Sequence, residues 1–257
     1  MSNYNSTLQA NNTDLQAILN TINELPTAGG GGDTSVEDAF ITKTITSYTN
    51  DRIATLPSFA FAYCSSLTSV SFPACTNIGS NAFVACSSLA YISFPACTSI
   101  ERFAFSGCKS LISINFPKCT NISNSSAFAN CTNLTSVNFP VCNNIGNFAF
   151  AYCRSLTSVS FPMCTSIGTY AFDNCTSLTS VSFPMCTSIS TYAFYSCSSL
   201  NTIYLTASSV CTLGGSNIFS NTGIWSNKGS IFVPSSLVAS YKKATNWTFF
   251  SNRIYSA

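Results

Sequence analysis

The sequence predicts a β-rich α/β solenoid: a superhelix of 22-residue coils with an N-terminal helix and a C-terminal cap. Three observations predict it. An Ala-Phe pair recurs at Phe61, Phe83, Phe105, Phe128, Phe150, Phe172 and Phe194, 22 residues apart except for one 23-residue step where "SNSSAF" carries an extra serine. Between these pairs the apolar positions keep their places: Leu67, Val70, Phe72, Cys75 and Ile78 in one unit match Leu178, Val181, Phe183, Cys186 and Ile189 in another. Cysteine shares the rhythm, falling every 11 residues from Cys64 to Cys197 except for one longer step at Cys131. Units of this size cannot bury an apolar side alone, so they must stack.

Four segments follow: an N-terminal helix for oligomerisation or docking at 1–26, a glycine-rich linker at 27–40, the solenoid at 41–228 and the cap at 229–257. In "LQANNTDLQAILNTINELP" the apolar residues fit a heptad, with Leu8, Leu15 and Ile22 at one core position and Asn11, Ile18 and Leu25 at the other. An aliphatic core of this kind leans toward three or four parallel strands, a homotrimer among them, with Asn11 setting the register. A second reading takes Thr13-x-x-Gln16 as a capping box, so that the helix begins there and covers the open end of the solenoid. The run "AGGGGD" reads as a flexible tether, which a docked cap would not need.

Each coil starts with a strand. In "LTSVSFP" the alternation about Val70 and Phe72 has period two. Pro73, Pro95, Pro117, Pro140, Pro162 and Pro184 end these strands, because proline offers no N–H to the ladder. "CTSI" then makes a second short extended piece, and "AFxxC" reads as a tight helical turn. Phe219, 25 residues after Phe194, is a degraded eighth copy of the repeat. The tail supplies Phe232, Leu237, Tyr241, Trp247, Phe249 and Ile254 as a strand and short helix to close the stack.

The pattern L-x-x-V-x-F-P-x-C-T-x-I-x-x-x-A-F-x-x-C carries the leucine-rich-repeat signal. Units such as "IGTYAFDNCTSLTSVSFP" and "IGNFAFAYCRSLTSVSFP" resemble the BspA-like, treponemal-type leucine-rich repeats over residues 41 to 206. Two departures are Phe in place of the usual aliphatic before Pro, and a second cysteine in a slot often held by Val. The resemblance implies a right-handed solenoid used for adhesion and binding, without catalytic residues. The first 30 residues are similar to the starts of phage-tail and prophage-encoded repeat proteins.

Composition restricts function. There are 14 cysteines, but none in the paired C-x-x-C spacing that zinc favours, so reduced core thiols are expected and no metal or cofactor. The opening lacks a basic stretch followed by an apolar run, so no secretory signal is expected. The expectation is synthesis in the cytoplasm, with a place on a virion or export by another route, phage release at lysis being one. No run of apolar residues is long enough to span a membrane. At 7% charged residues and a net charge of +2, neither nucleic acid nor an acidic surface is favoured. Histidine is absent, and between Thr55 and Asn227 Glu101 and Asp173 are the only acids, which argues against an enzyme.

Binding is the remaining class. Residues flanking each central Val or Ile should face solvent as a hydroxyl and amide sheet, with Tyr91, Asn115, Asn138 and Tyr204 as candidate contacts. A second column, just before Ala-Phe, holds Phe59, Phe103, Phe148, Tyr170 and Tyr192, interrupted by Asn81 and Ser126. Aromatic faces beside hydroxyls and amides suit a glycan on a host or neighbouring surface, and a protein ligand is the companion expectation. These aromatics could equally pack between coils and bind nothing. A structural or assembly spacer is the alternative function. Ice binding through Thr76, Thr98, Thr120, Thr165 and Thr187 is an outside third, because Asn143 interrupts that column.

Overall fold

A computed structural model describes residues 44–122 and 125–257. The helix at 1–26, with Leu8, Asn11, Leu15, Ile18, Ile22 and Leu25, and the linker at 27–40 lie outside the described residues. What is described is a parallel β-solenoid of about nine coils. Strands are numbered in chain order. Odd-numbered strands from β1 (Ser47–Thr49) to β17 (Ser230–Val233), joined by β18 (Ile254–Ser256), form one wall. Even-numbered strands from β2 (Thr55–Leu56) to β16 (Thr212–Leu213) form the other, a continuous eight-stranded parallel sheet.

Register follows the repeat. Val70 lies opposite Ile92 and Val181 opposite Ile203 on the first wall, and Asn77 opposite Ser99 on the second. The extra serine leaves this pairing intact, since Ile114 still faces Val137 and Ile122 still faces Ile145. Each coil therefore presents the same side chain at the same height. The hydroxyls of Thr76, Thr98, Thr165 and Thr187 donate to carbonyls of the preceding coil at 3.0–3.1 Å, so this threonine column helps tie coil to coil.

The return segment is not helical. It is a run of i→i−3 turns, with Ala62 N–H bonded to Phe59 O and Cys64 N–H to Phe61 O. Two left-handed residues per coil stop a helix from forming, as at Phe59 and Tyr63, both with φ of 63°. In exchange, the N–H groups of Phe59, Phe61 and Tyr63 donate along the stack to Ser80, Ala82 and Val84 at 2.7–2.9 Å. A third hydrogen-bonded edge thus satisfies backbone groups that an isolated turn would leave open. Among the described residues the single α-helix is α1 (Val238–Lys243), in the cap.

Two phenylalanine columns fill the interior. Phe61 through Phe194 stack ring on ring with centroids 5.0–5.4 Å apart and planes within 9° of parallel. Phe72, Phe94, Phe116, Phe139, Phe161 and Phe183 form a second stack at 5.4–6.0 Å. The columns meet edge to face or tilted, as in Phe83 against Phe94, a geometry aromatic quadrupoles favour. All 14 cysteines are free and buried. They do more than fill space: Cys86, Cys108, Cys153 and Cys197 donate S–H to the carbonyls of Phe61, Phe83, Phe128 and Phe172 at 2.9–3.3 Å. Cys75, Cys97, Cys142, Cys164 and Cys186 do the same to a carbonyl two residues on.

The tail continues the first wall, as β17 pairs with β15 (Thr202–Tyr204) and β18 pairs with β17. Trp247, Tyr241 and Phe250 close the core behind them. Trp247 Nε1 donates to Cys211 O at 2.6 Å, and Cys211 N–H donates to the Tyr241 hydroxyl at 3.0 Å. Two sequence expectations are corrected here. Phe249 is 48% exposed, and its neighbour Phe250 enters the core, because the 3₁₀ turn over Thr248–Arg253 points position 250 inward. Phe232 lies half-buried on the outer face of β17, since its neighbours Ile231 and Val233 take the inward positions.

Candidate functional site

Two of the aromatic groups that reach the surface hold residues that the sequence singles out. On the first wall the central Val or Ile points inward and its neighbours outward, as in the buried Val159 between exposed Ser158 and Ser160. Tyr91 stands alone there at 70% exposure. Asn115 and Asn138 form a short ladder, Asn138 Nδ2 donating to Asn115 Oδ1 at 2.8 Å. Tyr204 stacks on Phe232 at 5.1 Å, and Phe232 meets Tyr255 at 6.1 Å. The wall therefore holds its four candidate residues at three separate places. Cross-strand aromatic pairs such as Tyr204 and Phe232 are ordinary sheet stabilisers.

The second group lies on the turn edge. Phe148 stacks on Tyr170 at 5.0 Å, and Tyr170 on Tyr192 at 4.9 Å with planes 3° apart. Tyr195 stands across this ladder, edge to face with Tyr170 at 6.3 Å and with Tyr192 at 5.6 Å. Asp173, close enough to act on Tyr170, is buried in a coil that carries no other charge. Its carboxylate accepts from Asn174 Nδ2 at 2.7 Å. Burial pushes this carboxyl above the usual carboxylate range, while hydrogen bonds from Asn174 and Tyr152 act the other way. Desolvation, then the neighbouring Tyr192, Asp173 and Tyr195, raise the Tyr170 phenol. Arg154 sits over the Tyr152 ring at 5.9 Å.

All three ladder residues are left-handed, with φ of 54° at Phe148, 55° at Tyr170 and 57° at Tyr192, as are Phe59 and Phe103 at the same place in earlier coils. For a residue with a bulky side chain this costs roughly 1–3 kcal/mol, whereas asparagine visits the region readily. Asn81 occupies the same slot two coils before the inserted serine, with φ of 58°. Ring stacking returns only about 0.5–1.5 kcal/mol per pair, and three rings make two pairs. Burial contributes as well, since Phe148 is 39% exposed and Tyr170 and Tyr192 are half-buried.

The sequence placed Tyr170 and Tyr192 in one column, and the structure brings them together. Sequence reading missed Tyr195 and Asp173 as members of this site. Asp173 was visible as the one acid in its coil; Tyr195 could be placed only once the turns were known to bend back.

The walls, turns and register define a parallel β-solenoid of the leucine-rich-repeat class, which serves in general as a surface or adhesion-type module for protein interaction. The family model for the BspA type leucine rich repeat region matches residues 54–165 and 125–250 with six copies, and the chain belongs to that family. A leucine-rich repeat protein from Treponema pallidum is similar at 24% identity and a TM-score of 0.50, covering 84% of this chain and 88% of its own. A Bacteroides ovatus leucine-rich repeat protein is similar at 21% identity and a TM-score of 0.45 over 73% of this chain. A leucine rich cell surface protein from Faecalibacterium prausnitzii matches 65% of it at 23% identity and a TM-score of 0.43. The chain spans 63% and 61% of the lengths of the last two. No curated protein matches the sequence.

Proposed function

We propose that this chain is a non-enzymatic attachment protein that recognises a glycan or a protein on a host or neighbouring surface through the outside of its solenoid. The observation that carries this reading is the outer wall itself: in-register serine, asparagine and tyrosine side chains with scarcely any charge. Such a surface offers many weak hydrogen bonds and ring contacts, and few strong ones. Among the described residues no group of three or more His, Cys, Asp or Glu side chains is placed to hold a metal ion. No helix among them is long and apolar enough to cross a membrane.

Weak contacts favour multivalency. A bundle formed by residues 1–26, trimeric in the simplest case, would present several solenoids on glycine tethers and raise the effective concentration at each further site. A phage tail or a cell surface is where such an arrangement would work. The test is binding of the biotinylated full chain to a glycan array and to immobilised surface proteins of candidate host cells. Saturable binding on either supports the reading. Absence of binding on both would leave the solenoid as a spacer within a larger particle.

A further inference from the structure

The net charge of +2 hides a polarity along the chain. Six of the eight acids fall within residues 1–51, which hold a single base, Lys43. Residues 174–257 hold four bases, Lys228, Lys242, Lys243 and Arg253, and no acid. The densest acidic run is "DTSVED" at 33–38, with Asp33, Glu37 and Asp38. We propose that the C-terminal end of the solenoid is a docking face for an acidic peptide segment, and that its occupant is residues 33–38 of a second copy, so that chains join head to tail.

The structure gathers the basic end around an aromatic platform. Trp225 stacks on Phe249 with centroids 4.7 Å apart, and Phe249 is 48% exposed. The Arg253 guanidinium lies over Phe249 at 5.7 Å and over Phe250 at 5.5 Å. Arg253 is the one buried base among the described residues, at 6% exposure. One of its nitrogens donates to Ile224 O, Nε has no partner, and residues 174–257 hold no acid to balance it. A buried charge without a counter-ion is costly, and a carboxylate brought to it from outside lowers that cost. Lys242 and Lys243 end α1, which packs against β18, and both are exposed, as is Lys228 in the turn after Trp225. β18 is the last strand of its wall, with no further strand beside it among the described residues, so an extended segment can add to it as peptides add to sheet edges. Reach decides which copy supplies the segment. From β1 to β18 the first wall has ten strands, hence nine steps of ~4.8 Å or about 43 Å. Fully extended, the eleven residues from Asp33 to Thr44 span at most about 40 Å, and the six from Asp38 about 22 Å. A chain's own segment therefore stops short of its own cap. A second copy can deliver it, which makes the contact heterologous and builds rings or open filaments.

The test uses the full-length chain and a fluorescent peptide of residues 30–43. Anisotropy at low salt, about 20 mM, should show saturable binding with a Kd of about 0.1 mM or tighter, weakened at least about fivefold at about 0.5 M salt by screening. The peptide carrying Asp33→Asn, Glu37→Gln and Asp38→Asn should bind wild-type protein at least about tenfold more weakly, a readout that does not depend on the folding of any variant. On the protein side, Lys242→Glu/Lys243→Glu should weaken the native peptide and gain affinity for a peptide carrying Asp33→Lys, Glu37→Lys and Asp38→Lys. In sedimentation velocity, wild type should grow with concentration beyond the species formed by the Lys242→Glu/Lys243→Glu chain. Equal binding of the native and neutralised peptides overturns the proposal. Equal binding of a peptide of the same composition in scrambled order overturns the named occupant and makes the cap a general anion-binding surface. Absence of peptide binding, or growth that Lys242→Glu/Lys243→Glu leaves unchanged, also overturns it. The attachment reading stands or falls separately, on the arrays.

Discussion

If the cysteines are reduced core residues, native protein at pH 8 should be nearly inert to thiol reagents, and denatured protein should titrate 14 thiols without reductant. Two routes to reaction can be sized. The first is attack by a thiolate in place. Burial pushes Cys119 and Cys153 up to about 12, so roughly one in ten thousand is ionised at pH 8, against about a quarter of a free thiol of pKa ~8.5. Greater nucleophilicity of a more basic thiolate offsets roughly thirtyfold of this, leaving a deficit of about fifty- to a hundredfold. The second route is local opening. A coil that opens exposes two buried phenylalanines, at about 1.5–3 kcal/mol each, which makes the open form rarer than about one in a hundred. By either route the native protein should react at least about fiftyfold more slowly than glutathione in a stopped-flow or plate-reader assay. A full complement of thiols reacting at the glutathione rate would refute the packing argument. A denatured count near zero would reveal disulfides and overturn the reduced state.

Phe128→Ala should cost about 3–5 kcal/mol in urea unfolding, because the ring stacks at 5.3 and 5.4 Å on Phe105 and Phe150 in a column that cannot collapse without breaking register. A loss under 1 kcal/mol would mean that the column is not the core. Trp247→Ala removes the anchor on Cys211 O, so it should cost a similar amount and make Cys211 the first thiol to react; peptide mapping after brief alkylation would identify another cysteine if this is wrong. Asp173→Asn tests the buried carboxyl. A folded value above the unfolded one means that the neutral form is favoured in the fold, so its stabilisation is present below about pH 3.9 and is lost as pH rises through the folded value. The variant should therefore melt higher than wild type at pH 7 and lose that advantage in acid; a lower melting temperature at pH 7 would contradict it.

The walls were legible because they obey sequence periods. Val70 and Phe72 alternate as a strand must, the prolines mark strand ends, and a 22-residue spacing fixes what lies beside what. Once stacking was inferred, the cysteine and phenylalanine columns followed from arithmetic. What stayed hidden was the turn edge. A short apolar run such as "AFDNC" is compatible with a helical turn, and only backbone dihedrals distinguish that from two turns with left-handed residues. The sequence does carry a trace of them, in asparagine at 81, 130, 174 and 221, all left-handed. The last three share a column with Tyr63 and Tyr152; in the column of Phe148, Tyr170 and Tyr192 only Asn81 is asparagine, and Phe59 and Phe103 are aromatic, so the trace is faint there. Five aromatics share one left-handed column, Phe59, Phe103, Phe148, Tyr170 and Tyr192, so the turn imposes this backbone whatever side chain stands there, and the hydrogen bonds that these N–H groups donate along the stack, as Phe59 does to Ser80 O and Tyr170 to Thr191 O, are what hold it.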